Sequence, residues 1–170
     1  DLPKSIRSIG SYAFFRTGLK DIQLSEGLLK LEAGAFAGTL IKSLELPTSI
    51  KDLTVNCCSD MVERITIPSF RKDICVGCIK GFRPLPSNDT VMKLQCGNRY
   101  LYIPRYMKPS TINEGIDDIE AFFANPKKKV PGIWSYAYTA TCKQNMAFME
   151  YVDFGSESAK AYLKKNAKKM

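Results

Sequence analysis

The chain contains no histidine. That absence excludes a histidine general base, a Ser-His-Asp or Cys-His nucleophile pair, and every zinc site that needs imidazole. There is no apolar run of the roughly eighteen residues that a membrane-spanning helix requires. Neither G-x-x-x-x-G-K-[ST] nor G-x-G-x-x-G occurs, which removes the two common glycine-rich phosphate cradles. No charged start leads into an apolar h-region, so no signal peptide is expected in this stretch. The chain opens at Asp1 rather than methionine, which reads as an excised fragment or a processed product.

What is present suits a folded protein. The 170 residues are 45% hydrophobic and 25% charged, ordinary for a globular chain and unlike a disordered one. Twenty-five basic residues against seventeen acidic give +8. The excess is uneven. Residues 1–126 carry 16 basic and 14 acidic side chains, residues 127–170 carry 9 and 3. Lys127, Lys128, Lys129 and the lysines between 160 and 169 supply most of it. A basic tail attracts nucleic acid or an anionic membrane. A lysine-rich helix end also suits the helix dipole, and no aromatic residues interleave with these lysines as base-stacking would need.

Six cysteines are present, Cys57, Cys58, Cys75, Cys78, Cys96 and Cys142. Their spacing resembles no secreted disulfide framework. Cys75 and Cys78 form a C-x-x-C pair that, with Cys57 and Cys58, offers four thiolates to zinc. The periodicity of the first half gives three of them a different role.

That periodicity is carried by apolar residues. Ile6, Ile9, Ala13, Phe14, Leu19, Ile22 and Leu24 recur at one constant offset as Leu28, Leu31, Ala35, Phe36, Ile41, Leu44 and Leu46. A third unit keeps the frame with Ile50 and Leu53, puts Cys57 and Cys58 where Ala and Phe stood, and closes with Val62, Ile65 and Ile67. A fourth begins with Phe70, Ile74 and Cys78 and then decays. Each of the first three ends in an L-x-x-L-x-L pattern, at residues 19–24, 41–46 and 62–67. The last three positions alternate with strand period. Pro47 and Pro68 then stop the second and third runs, since proline cannot donate to a ladder. A period of about 22 residues is that of a leucine-rich repeat, in which one unit cannot bury its own apolar face and stacked units form a continuous core. In this frame Cys57, Cys58 and Cys78 sit at inward positions and act as small hydrophobes, with no metal and no cofactor expected.

The stretch Leu2-Pro-Lys-Ser-Ile-Arg-Ser-Ile-Gly-Ser-Tyr-Ala-Phe14 resembles the BspA-like class of leucine-rich repeat, whose units carry L-P-x-S-(I/V)-x-x-I-G-x-x-A-F. Leu46-Pro-Thr-Ser-Ile50 starts another unit in the same way. The resemblance covers about residues 1–80 and is specific for the repeat class. It implies binding and adhesion surfaces, often bacterial, and no shared catalytic site. The third and fourth units depart from it by replacing Ala-Phe with cysteine.

Residues 83–90 read as a turn-rich break. Asn88-Asp-Thr90 has the form of a glycosylation sequon, a common chance tripeptide. Two strand candidates come next, residues 91–96 and 100–103, separated by Gly97-Asn98 as in a hairpin. Thr111-Ile-Asn-Glu114 has capping-box form, and Ile112, Ile116, Ile119 and Phe123 follow at helical spacing. A second helix is expected from Pro131, with Trp134, Tyr138, Cys142, Asn145, Met149 and Val152 along one face. Ser156 caps a third helix running to about Ala167. Trp134, Tyr136 and Tyr138 are a binding platform or, more commonly, core. Asp117, Asp118 and Glu120 are the one carboxylate route to catalysis that composition leaves, and a solvated acidic first turn explains them equally.

The expected architecture is α+β: a short leucine-rich repeat solenoid of about 22-residue rungs over 1–82, a linker and capping hairpin over 83–110, and a helical region over 111–170. The expected function is non-catalytic protein or glycan binding within a larger bacterial surface or scaffold protein. The alternative is a structural repeat carrying a basic helical adaptor for nucleic acid or a membrane surface. The contact residues expected are those pointing out of the repeated strands: Lys20 and Gln23, then Lys42 and Glu45, then Glu63 and Thr66. The resemblance leans to the cell surface, whereas unpaired cysteines lean to a reducing compartment.

Overall fold

The computed structural model of the chain describes residues 2–54, 57–59, 61–81, 91–105, 107 and 111–167. The expected turn-rich break and the sequon at Asn88 lie outside the described residues.

Periodicity becomes structure through parallel pairing. Strands β1 (Ser8–Ile9), β2 (Lys30–Leu31) and β4 (Asp52–Leu53) form one sheet, with Ser8 beside Lys30 and Lys30 beside Asp52. Strands β3 (Ser43–Glu45) and β5 (Arg64–Ile67) begin a second sheet, with Leu44 beside Ile65. A third line of hydrogen bonds joins the turns: Tyr12 N–H to Ala33 O at 3.0 Å, Phe14 N–H to Ala35 O at 2.9 Å and Phe36 N–H to Cys57 O at 3.0 Å. The apolar positions of the second unit, Leu28, Leu31, Ala35, Phe36, Ile41, Leu44 and Leu46, are all buried. Their first-unit equivalents are less so: Phe14, Leu19 and Ile22 are half-buried and Ala13 is exposed, since among the described residues they are packed from one side alone. Phe14 lies parallel to Phe36 with ring centroids 5.4 Å apart. The run at 19–24 does not enter the sheet, which starts at β3.

In the first two units the turns between the sheets take left-handed backbone at two equivalent places. In the second unit these are Gly34 (φ 67°) and Gly38 (φ 72°), and in the first they are Tyr12 (φ 59°) and Arg16 (φ 53°). Glycine suits the second unit twice over. It incurs no steric penalty in this conformation, and a Cβ at Gly34 would meet the Tyr12 ring at 2.5 Å.

The fourth unit is irregular, as its fading pattern suggests, although the repeat-like segment extends through it. Residues expected to begin it form helix α1 (Lys72–Gly81), with Ile74, Cys75, Cys78 and Ile79 buried. The expected hairpin is present as β6 (Val91–Cys96) and β7 (Arg99–Pro104). Strand β6 pairs in parallel with β5, Ile65 beside Leu94, and antiparallel with β7. The second sheet therefore runs β3-β5-β6-β7, continuous from the repeats into the hairpin.

Helix α2 (Ile112–Ala124) buries Ile112, Ile116, Ile119 and Phe122. Thr111 precedes it without the side-chain capping bond expected from the sequence. Phe123 is only partly covered and stacks on Phe70 at 5.5 Å. Lys72 of α1 bridges Asp117 and Glu120 of α2, the latter at 3.5 Å. The single helix expected from Pro131 is divided: a 3-10 turn (Ile133–Tyr136) comes first, then α3 (Ala140–Phe154), whose N-cap Thr139 accepts the Cys142 N–H. The break rotates the buried face, so Cys142, Met146, Ala147 and Glu150 point inward. Asn145, Met149 and Val152 are exposed. Helix α3 ends at Gly155, and Ser156 caps α4 (Glu157–Asn166) as expected.

Glu150 is the unusual member of this core. It is fully buried, and its Oε2 accepts the Trp134 indole N–H at 2.8 Å. Oε1 has no partner among the described residues. Burial pushes the carboxyl up to about 8, so it is held protonated at neutral pH.

The packing predicts two outcomes. Phe36→Ala should cost about 3–5 kcal/mol and Phe14→Ala distinctly less, read by urea denaturation. Equal costs would contradict the difference in burial. Glu150 carries a raised folded value, so its contribution is complete at low pH and declines as pH rises toward about 8. Between the unfolded and folded values stability should fall by up to about 1.4 kcal/mol per pH unit. Glu150→Gln keeps an acceptor for Trp134 and should flatten that slope. The fluorescence of Trp134, the one tryptophan, reports the transition.

Candidate functional site

The second sheet has an apolar inner face and a polar outer one. Leu44, Ile65, Leu94 and Leu101 stand in register on the inner side and are buried. Period two puts their neighbours outside. One outer row is Glu45, Thr66, Gln95 and Tyr100, and the other is Ser43, Arg64, Lys93 and Tyr102. Adjacent strands lie about 4.8 Å apart, so each row is a ladder of closely spaced polar groups.

The expected contact residues divide accordingly. Glu45 and Thr66 are cross-strand partners. Lys42 and Glu63 flank the strands and form an ion pair at 3.0 Å. Lys20 and Gln23 are exposed but precede the first strand of this sheet, so they do not continue the ladder. Gln23 and Glu45 instead border a groove of about 1100 Å³ floored by Leu19, Ile22 and Leu46 and edged by Asp21 and Glu26. The Glu26 carboxyl accepts the Thr48 hydroxyl and N–H, which hold it below the usual carboxylate range.

Arg64, Lys93, Gln95, Tyr100 and Tyr102 were missed from sequence. The alternation in the hairpin was visible. What hid them is that α1 intervenes between Arg64 and Lys93, so their separation in the chain exceeds the repeat period. The Lys93 ammonium sits 3.7 Å from the Tyr100 ring centroid. Tyr100 donates its hydroxyl to Asp153 at 3.1 Å and packs on Phe154 at 5.1 Å, so the end of α3 walls this side of the outer face. Burial, with the Asp153 carboxylate, pushes Tyr102 up to about 12.

The other candidates have structural partners. Cys57, Cys58, Cys75 and Cys78 are buried, with the Cys57 and Cys58 sulfurs 3.5 Å apart. The bond to Cys57 and burial raise the Cys58 thiol, and burial pushes Cys75 up to about 12, which keeps both as thiols. Among the described residues no three metal-ligating side chains converge. Asp118 accepts the Tyr136 hydroxyl at 2.7 Å, and Asp117 and Glu120 serve Lys72. Trp134 and Tyr136 are half-buried and anchored, while Tyr138 is exposed, so the three do not present one aromatic platform. Lys160 pairs with Glu157 at 3.3 Å, and Lys164 and Lys165 occupy the last turn of α4. Among the described residues no helix is long and apolar enough to cross a membrane.

No curated protein and no solved structure matches the chain. Residues 1–90 match a family described as BspA type leucine-rich repeat region (6 copies), a span that ends where β6 begins. With matched units that pair in parallel at a constant offset and bury equivalent positions, the chain belongs to the BspA type leucine-rich repeat family.

Proposed function

We propose that the chain is a non-catalytic recognition module that binds a protein partner, or a glycan, through the outer face of its second sheet. Supporting this reading, the outer rows carry both signs of charge, polar amides and hydroxyls, while the groove beside Gln23 and Glu45 adds an apolar floor with an acidic edge. Repeat proteins commonly bind through such continuous faces. The observation that carries it is the register that extends Glu45 and Thr66 into Gln95, and Ser43 and Arg64 into Lys93. A place in a larger bacterial surface or scaffold protein with an adhesion role is part of the same proposal.

The folded unit behind this face is read as a short solenoid of about 22-residue rungs. The hairpin β6–β7 and helices α1–α4 serve as its cap. The boundaries at 82 and 110 then divide sequence types rather than independent domains. Parallel pairing of β5 with β6 crosses the first, and the Phe70–Phe123 stack and the Lys72 ion pairs cross both.

The contact face is tested with peptides selected from a random library on immobilised protein, alongside a glycan array. The combined variant Glu45→Arg, Thr66→Arg, Arg64→Glu should weaken selected ligands by about tenfold, and binding should depend only mildly on salt. Loss on Lys164→Glu, Lys165→Glu instead, with steep salt dependence, would transfer the function to the basic helix as an adaptor for anionic partners. The cap is tested by truncation. Residues 1–81 alone should aggregate or fail to melt cooperatively, while the full chain melts in one transition. A soluble, cooperatively melting 1–81 fragment would separate the two halves into distinct modules.

A further inference from the structure

A second concavity lies on the far side of the hairpin. The cleft, of about 650 Å³, opens between the β6–β7 turn, the end of α2, residues 128–130 and the corner joining α3 to α4. That volume falls within the usual range of small-molecule sites. Phe122, Phe154, Tyr100 and Val130 form an apolar lining. Three cations border it: Arg99, Lys128 and Lys129. The Arg99 guanidinium is fixed in place, donating to Asn125 O at 2.8 Å and lying 3.9 Å from the Phe122 ring centroid. Lys128 and Lys129 are exposed and form no ion pair among the described residues. One carboxylate, Glu157, also lines the cleft and is engaged by Lys160.

We propose that this cleft binds a small organic carboxylate with an apolar body, its carboxylate attached beside an aromatic or branched side chain. The aromatic lining takes the body. The carboxylate meets Lys128 and Lys129 at the rim, with Arg99 behind them. The corner of α4 adds to the positive field, since the N–H groups of Glu157 and Ser158 belong to a first helical turn and have no intrahelical acceptor. Three cations against one carboxylate, itself paired with Lys160, give the cleft a net positive charge that suits an anionic head group. A free acylated apolar amino acid and the C-terminal residue of a peptide share this chemistry.

Titration of nitrogen-15-labelled full chain, followed by amide chemical shifts, tests the proposal. The probes are N-acetylphenylalanine, its amide, Gly-Gly-Phe as acid and as amide, and phenyl phosphate. The acids should bind about tenfold more tightly than their amides, with shifts concentrated at residues 97–100 and 155–158. Lys128→Ala, Lys129→Ala should remove most of that preference without lowering the melting temperature. Tighter binding of the tripeptide acid identifies a peptide end as the natural occupant, and tighter binding of N-acetylphenylalanine identifies a free acid. Equal affinity for acids and amides, shifts elsewhere in the molecule, or acid binding unchanged in the double variant would overturn the proposal. Phenyl phosphate binding well above the carboxylates would overturn the assignment of a carboxylate.

Discussion

Everything in this molecule depends on parallel backbone pairing between equivalent segments of successive units. Its strands are two to four residues long in the repeat region, too short to persist alone. Each gains its hydrogen bonds from the unit before or after it, and β5 also from the hairpin strand β6. Side chains reinforce the same register: the Ser49 hydroxyl takes the Gly27 N–H at 2.9 Å and donates to Leu28 O at 2.7 Å, while Glu26 takes the Thr48 hydroxyl. A unit that slipped by one residue would lose both sets of bonds and turn Leu31 and Leu44 toward water.

The same dependence creates a problem at the last unit, which has a strand edge and an apolar end to cover. The chain departs from its period at this point. Helix α1 occupies the place of a fourth first strand, packed against Leu53, and delivers four buried side chains where a rung would deliver several from extended backbone. Strand β6 then supplies the missing edge partner for β5, and the tight turn at Gly97 lets β7 follow it antiparallel. Inward cysteines fit this transition. Alanine and phenylalanine at 57 and 58 would restore the regular unit, whereas two thiols leave room for Cys78 of the helix, which is buried close by.

What was legible in the sequence was what repeats. The offset from Ile9 to Leu31 or from Ile22 to Leu44 is written in residue types, and the hairpin at Val91 and the cap at Ser156 are local signals. What was illegible arises where local pattern and tertiary contact disagree. Residues 72–81 continue a fading repeat pattern and also satisfy a helix, and packing against Leu53 and α2 decides for the helix. Pro131 suits a helix start, but the chain turns again at Ala137, so Met146 and Glu150 face inward in place of Asn145 and Met149. The outer rows were half legible, since Glu45 and Thr66 belong to the period and Lys93 and Gln95 do not.

The hairpin connects these observations. Alternation along two strands gives it three surfaces: Met92, Leu94, Leu101 and Ile103 enter the core, Lys93, Gln95, Tyr100 and Tyr102 extend the polar rows, and Asn98 and Arg99 at its turn border the apolar cleft. Tyr100 stands at the junction, its ring between Lys93 and Phe154 and its hydroxyl on Asp153. Its position is held from three elements, β6, β7 and α3, between the polar face and the cleft. The hairpin that pairs with the edge of β5 thereby also sets the geometry of two solvent-facing surfaces, so the irregular half of the chain contributes to the outer face as much as the repeats do.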